Sequence, residues 1–112
     1  MLRRSHTAVI EKNETRDADF ATEPYECGWA SEASWFVRVL EGEAEQFALR
    51  ALVQVSPDGL HWCDKGGEKL EMTRPGLAHL AVRDFGGWLR LRVELSGRKP
   101  KVKLLVYLAL KE

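Results

Sequence analysis

The sequence predicts an all-β protein, an antiparallel two-sheet sandwich of the jelly-roll type with about seven or eight strands and little or no helix. Apolar and polar residues alternate along several segments, which is the period of a half-buried strand. Turn-forming residues recur at intervals of roughly 8 to 12 residues, as in sandwiches and barrels. No segment repeats apolar residues at positions i, i+3, i+4 and i+7 over three capped helical turns.

The clearest strands lie in the C-terminal third. In WLRLRVELSG every second residue is apolar, and after the turn SGRKP the same period returns in KVKLLVYLALK. The second face of that last strand also becomes apolar after its second lysine, which is typical of a central strand or of a face covered by another subunit. We therefore expect a subunit interface that includes Leu105, Tyr107, Ala109 and Trp88.

Earlier segments show the same alternation. SWFVRVLEG and QFALRALVQVS are predicted to pair as antiparallel strands across the acidic turn EGEAE. Weaker strands are expected in HTAVIEK, GLHWCDKG, EKLEM and LAHLAVRDF, whereas residues 17–33 fit no period and are expected to connect the two sheets. The main alternative is a short helix capped by Ser31.

Length and composition predict a single domain at residues 6–112 after a flexible N-terminus at residues 1–5. The N-terminus lacks the apolar core of a secretion signal, and no apolar run approaches a membrane span, so we expect a cytoplasmic location. Cys27 and Cys63 allow one disulfide at most, and in a chain without an export signal they are more often free.

Charge is unevenly distributed in a chain whose formal net charge is zero. Residues 11–45 hold ten acidic side chains against three basic ones, and residues 83–112 hold eight basic against three acidic. Two explanations are open: the opposite blocks pair as neighbouring strands within the fold, or they guide contacts between subunits.

The stretch SPDGLHW predicts a hairpin turn. Pro57 suits the second turn position, Ser56 can accept hydrogen bonds from the turn backbone, and Gly59 can adopt the positive φ that closes the hairpin. Asp58 completes the turn, and Trp62 is expected to pack over Val53 or Val55 on the adjacent strand. The turn is therefore interpreted as structural.

This stretch also carries a family resemblance. VQVSPDGLHWCDKG, followed by FGGWLRLRVELSG and the final VYLALKE, resembles small proteins of phage and prophage gene clusters and, more distantly, discoidin-like domains, over about residues 47–112. The phage-type resemblance implies a β-sandwich that serves as a virion or shell component, often as a symmetric oligomer. Discoidin-like domains imply glycan or lipid binding and a disulfide joining their ends, but this chain lacks terminal cysteines.

Several groups of residues are candidate chemical sites. His61 and Cys63 share a strand face, but a metal or catalytic site requires further convergent groups, so we predict no enzyme activity, no metal and no cofactor. A nucleic-acid surface would be a basic stripe beside Trp88 or Tyr107, made of Arg83, Arg90, Arg92, Lys101 and Lys103. The chain's neutral net charge disfavours this surface, and Glu94 interrupts the stripe. A sugar-binding aromatic platform would comprise Tyr25, Trp29 and Trp35.

We therefore expect a non-enzymatic structural or interaction module that associates with itself, with a trimer as one possible form, and that belongs to a larger protein shell or virion. The alternative is a carbohydrate- or other ligand-binding β-sandwich. No membrane partner is expected.

Overall fold

In a computed structural model the chain forms an all-β sandwich, which confirms the predicted fold class. The structure describes residues 3–40, 46–67 and 69–112; across these residues it contains no helix, and so none able to span a membrane. The strands are β1 (Ser5–Arg16), β2 (Phe20–Ala21), β3 (Tyr25–Glu26), β4 (Glu32–Leu40), β5 (Ala48–Ser56), β6 (Cys63–Asp64), β7 (Leu70–Met72), β8 (Gly76–Arg83), β9 (Trp88–Ser96) and β10 (Val102–Lys111).

The strands form two antiparallel sheets. Sheet A has four strands in the order β1-β10-β4-β8. Sheet B has the order β2-β9-β5-β6, with β3 also paired to β9 and β7 also paired to β5. The chain passes repeatedly from one sheet to the other, as in a jelly roll.

The predicted pairing of SWFVRVLEG with QFALRALVQVS is wrong, because these segments are β4 in sheet A and β5 in sheet B. Alternation correctly identifies which face of β4 and which face of β5 is buried. These two buried faces meet across the core, because the strands belong to different sheets. The predicted turn EGEAE lies outside the described residues, as does Glu68 of EKLEM.

Inward-facing residues of the two sheets form the core. The alternation predicted for the last two strands is confirmed, because every second side chain is buried from Leu89 to Leu95 and from Val102 to Leu110. Strand β10 lies between β1 and β4, so it is the central strand that its two apolar faces indicate.

Residues 17–33 contain more structure than the sequence predicts. They include β2 and β3, which both pair with β9, and β4 already begins at Glu32, so no helix follows Ser31. Two side chains secure this segment to β9: Thr22 Oγ1 accepts from the Leu91 N–H at 2.9 Å, and Asp19 Oδ1 accepts from the Leu95 N–H at 2.8 Å. Strands of two residues are too short to show a period in the sequence.

The opposite charge blocks are neighbours within the fold. Strands β1 and β4 from the acidic block both border β10 from the basic block. Across the pair β4–β8, Arg83 donates to Glu32 at 3.0 Å. This arrangement agrees with the first of the two explanations for the uneven charge.

Candidate functional site

The outward side of sheet A carries a row of aromatic and aliphatic side chains that crosses all four strands and ends at a histidine. Strand register aligns Val9 on β1 with Tyr107 on β10, then with Phe36 on β4 and His79 on β8. The ring centroids of Phe36 and His79 are 4.9 Å apart, and Val9 is 52% exposed. We call this surface the apolar face; its other members are Leu40, Leu77, Ala81, Leu105 and Ala109.

The structure divides the interface predicted from the sequence. Leu105, Tyr107 and Ala109 point outward from β10, are only partly buried, and belong to the apolar face. Trp88 lies in sheet B, on the other side of the sandwich. Its ring sits 3.1 Å from the position that a Cβ on Gly59 would occupy, so Trp88 packs against the hairpin turn instead.

The outward side of sheet B, here called the polar face, is organised by hydrogen bonds. Arg90 Nε donates to Gln54 Oε1 at 2.7 Å, and Gln54 Nε2 donates to Asp64 Oδ1 at 2.9 Å. The Arg90 guanidinium also lies 4.4 Å from the centroid of the Trp62 ring. Trp62 thus stacks with an arginine on the polar face. Of its two predicted neighbours, Val53 is buried in the core and Val55 packs against the core.

The turn SPDGLHW is held by its own side chains. Ser56 Oγ accepts from the N–H groups of Asp58 and Gly59 at 3.2 and 2.8 Å, and Gly59 has a φ of 79°. Asp58 Oδ1 accepts from the N–H groups of Leu60 and His61, both at 2.9 Å. The pKa of the Asp58 carboxyl lies well below its usual range. The causes, largest first, are hydrogen bonds from the His61 backbone N–H, the His61 imidazole, the Leu60 N–H and the Ser56 hydroxyl.

Ser56, Asp58 and His61 do not form a nucleophile triad. The Ser56 hydroxyl donates to Asp58 at 3.0 Å, and His61 Nδ1 contacts the second carboxylate oxygen at 2.7 Å, so both side chains point at the acid. A triad instead requires the imidazole to accept the serine proton. Among the described residues no three His, Cys, Asp or Glu side chains are grouped as a metal site would need.

Both cysteines are free thiols in different environments. Cys27 is buried and donates weakly to the carbonyls of Gly86 and Gly87 at 3.7 and 3.5 Å. Burial raises the pKa of the Cys27 thiol to about 12, and the Glu26 carboxylate adds to the shift. Cys63 is exposed on β6, two residues after His61, whose imidazole contacts Asp58.

The predicted aromatic platform is reduced to two rings. Trp35 is wrong as a member, because it faces inward on β4 and has no exposed surface. Tyr25 and Trp29 do come together, in a cleft of about 770 Å³ that Pro24, Glu26 and the N-terminal residues 3–6 also line. The Arg4 guanidinium lies 4.4 Å from the Trp29 ring centroid, and its Nε lies 3.6 Å from Glu112 Oε2. The Glu112 carboxylate also accepts from the Arg4 backbone N–H at 3.1 Å.

The basic stripe does not form as one surface. Arg83 and Lys103 belong to sheet A, and Lys101 directly precedes β10 in the same sheet, whereas Arg90 and Arg92 belong to sheet B. The aromatic residues predicted beside the stripe are also separated, because Trp88 lies in sheet B and Tyr107 in sheet A.

No protein-family model matches this chain, and no curated protein matches it. Solved structures share its fold. The PBSX exported protein XepA matches 97% of this chain with a TM-score of 0.60 and 10% identity. A chain of the T13 IBDV viral particle matches 97% with a TM-score of 0.61 and 11% identity. The present chain covers only 36% and 31% of these two proteins.

The CBM36-1 domain of a multidomain xylanase, from the hindgut metagenome of Trinervitermes trinervoides, matches 96% of this chain with a TM-score of 0.50 and 7% identity, and the match covers 96% of that domain. At such identities the likeness shows the fold alone. The shared fold is the β-sandwich that the phage-type resemblance implies. This β-sandwich occurs in viral, prophage and carbohydrate-binding proteins alike.

Proposed function

We propose that this chain is a non-enzymatic structural module that associates with a second copy of itself through the apolar face. The observation that carries the proposal is the row Val9–Tyr107–Phe36–His79 across sheet A. An antiparallel sheet with one solvated face normally alternates polar residues outward, as the polar face does here. Continuous outward apolar rows mark surfaces that another layer covers.

A second copy fits this face in charge. A two-fold axis parallel to the strands, between β4 and β10, sets Phe36 over the partner's Tyr107, and Glu32 over the partner's Lys111. Arg38 then faces the partner's Leu105, so like charges do not meet along the two central strands. Two sheets stacked in this aligned way would extend the sandwich by another packed interface.

Self-association of this kind suits a component of a phage-type particle or shell. Support comes from the sequence resemblance to phage and prophage proteins and from the fold shared with XepA and with a viral-particle chain. The absence of a nucleophile triad in the turn, and of a grouped metal-ligand set among the described residues, favours a structural role over catalysis.

The mass of the full chain in solution tests the proposal. Light scattering at tens of micromolar should give a dimer. Tyr107→Glu and Leu105→Lys should weaken the dimer by about 100-fold or more, because each places a charge in the desolvated centre of the interface. Circular dichroism should remain that of the folded wild type, since both side chains point away from the core.

Arg92→Glu on the polar face is the matched control and should stay dimeric, because Arg92 is exposed on the opposite sheet. A wild-type chain that is strictly monomeric at these concentrations overturns the proposal. A mass of three chains overturns the two-fold arrangement.

The cleft at Tyr25 and Trp29 favours a second candidate function, carbohydrate binding. Two aromatic rings beside the guanidinium and carboxylate groups of Arg4 and Glu26 offer both stacking and hydrogen bonds to a sugar. The fold shared with a CBM36-1 domain supports this candidate. A glycan array should give hits that Trp29→Ala abolishes and Trp62→Ala, on the polar face, retains. An array without hits removes this candidate.

A further inference from the structure

Three of the four sheet edges are protected against pairing with another strand. Strand β1 has register shifts between Val9 and Glu11 and between Glu11 and Glu14, and Asn13 in the second of these has a φ of 53°. Both edges of sheet B consist of strands of two or three residues. Bulges and short strands are the usual devices that keep an edge from accepting a new partner.

The edge at β8 lacks such devices. Its eight residues pair with β4 without interruption, from Gly76 opposite Val39 to Arg83 opposite Glu32. The strand GLAHLAVR contains no proline, no acidic residue and no basic residue apart from its last arginine and one histidine. Within the described part of the chain no strand pairs with its other side, and no backbone hydrogen bond outside the paired strands reaches it.

Part of a neighbouring loop lies beside this edge, with a small pocket between them. A pocket of about 100 Å³ lies between Lys65–Gly67 and Leu80–Arg83. A Cβ placed on Gly66 or Gly67 would meet no atom within 4 Å. The edge is therefore long, regular, largely uncharged and unpaired within the described residues, a combination that favours strand addition.

We propose that β8 is a strand-addition site whose occupant is β8 of a second copy, paired antiparallel about His79. In this register His79 lies opposite the partner's His79, and Leu77 lies opposite the partner's Ala81 on the same side of the sheet. Just beyond the strand, exposed Arg74 reaches the partner's Asp84 at both ends of the contact. This complementarity of charge favours a second copy over an unrelated peptide.

The edge contact is distinct from association through the apolar face. It joins two four-stranded sheets side by side into one continuous sheet, whereas the face contact stacks one sheet on another. Cα atoms of directly opposed residues in an antiparallel pair are about 4.5–5.5 Å apart, within the range that a disulfide bridges. Stacked sheets are about 10 Å apart, which is too far. Disulfide formation therefore separates the two modes.

The test uses the full chain with its exposed Cys63 changed to Ser, and His79→Cys as the probe. Under mild oxidation His79→Cys should give a disulfide-linked dimer at least about tenfold more abundant than in Ser34→Cys. Ser34 is the matched control, because it points outward on the same face from the interior strand β4.

Mixing two cysteine variants tests the register of the β8–β8 pair. Leu77→Cys and Ala81→Cys should not link when each is alone and should link when combined. Failure of His79→Cys to link above the Ser34→Cys level overturns the proposal, and linking by Leu80→Cys alone would overturn the register. Tyr107→Glu added to the His79→Cys chain should leave the link in place, which keeps this result independent of the apolar face.

Discussion

The two outer faces of the sandwich differ although their inner faces are alike. Both sheets bury alternate apolar side chains, so packing against the core requires the same pattern in each sheet. On the polar face Gln54 connects Arg90 to Asp64, and Trp62 carries the guanidinium on its ring. On the apolar face the central row instead consists of Val9, Tyr107, Phe36 and His79.

This difference shows where selection for a surface can act independently of folding. Inward residues of a strand are constrained by packing, but the alternate residues are free to be polar unless another layer covers them. On the polar face Arg90, Gln54 and Asp64 are hydrogen-bonded to one another within one chain. The apolar face leaves Val9 and Leu77 52% and 64% exposed, which is surface that a partner would remove from water.

The largest expected effect is a dependence of thermal stability on protein concentration. If the apolar face is buried between two copies, a dilution of about 100-fold should remove about 2.7 kcal/mol of stabilisation by mass action and lower Tm by several degrees. Calorimetry of wild type and Tyr107→Glu at two concentrations measures this. The variant should show no such dependence, and a concentration-independent wild-type Tm would contradict the contrast between the faces.

The next effect concerns the turn that carries Trp62 to the polar face. Gly59→Ala should destabilise the fold by about 2 kcal/mol, because a Cβ meets the Trp88 ring at 3.1 Å and φ is positive. Gly66→Ala has a similar positive φ but open space, so about 1 kcal/mol is expected. Urea denaturation measures both, and equal losses would show that Trp88 does not hold the turn.

A smaller effect is expected within the polar face itself. Gln54→Ala removes the hydrogen bonds to Arg90 and Asp64 and should cost about 1 kcal/mol. Arg92→Ala, on the same face without a described partner, should change stability by less than about 0.5 kcal/mol. Chemical denaturation compares the two. If Gln54→Ala is as neutral as its control, the hydrogen bonds do not organise this face.

The smallest effect is expected from Asp58→Asn. Because the folded pKa of Asp58 is depressed, its carboxylate stabilises the fold above the unfolded value of about 3.9, and this contribution is lost as pH falls through the folded pKa. The Tm difference from wild type should therefore be constant above about pH 5 and shrink on acidification. Asp17→Asn, at an exposed position, is the control and should show no comparable trend.

Strand alternation in the sequence was sufficient to predict the sandwich and the inner rows of β9 and β10. It also identified Leu105, Tyr107 and Ala109 as outward apolar residues, because a leucine, a tyrosine and an alanine interrupt the polar positions of a regular strand. The turn residues were recognisable for a similar reason, since their conformation depends on neighbours in the chain.

The rest of the apolar face was not predictable in this way. Val9, Phe36 and His79 are distant in sequence and become neighbours of Tyr107 only through strand order and register. The same limitation explains the misassigned pairing of β4 with β5. It also explains the inclusion of Trp35 in a surface platform, because a tryptophan is equally compatible with a core position.

By itself the sequence determined the strand period, the inward row of each long strand and the local geometry of the SPDGLHW turn, because these depend on residues within a few positions of one another. Only the tertiary structure decided which strands share a sheet, which outward residues form a continuous surface and which edge remains accessible. Those features depend on contacts between distant segments, and alternation carries no information about which strand lies beside which.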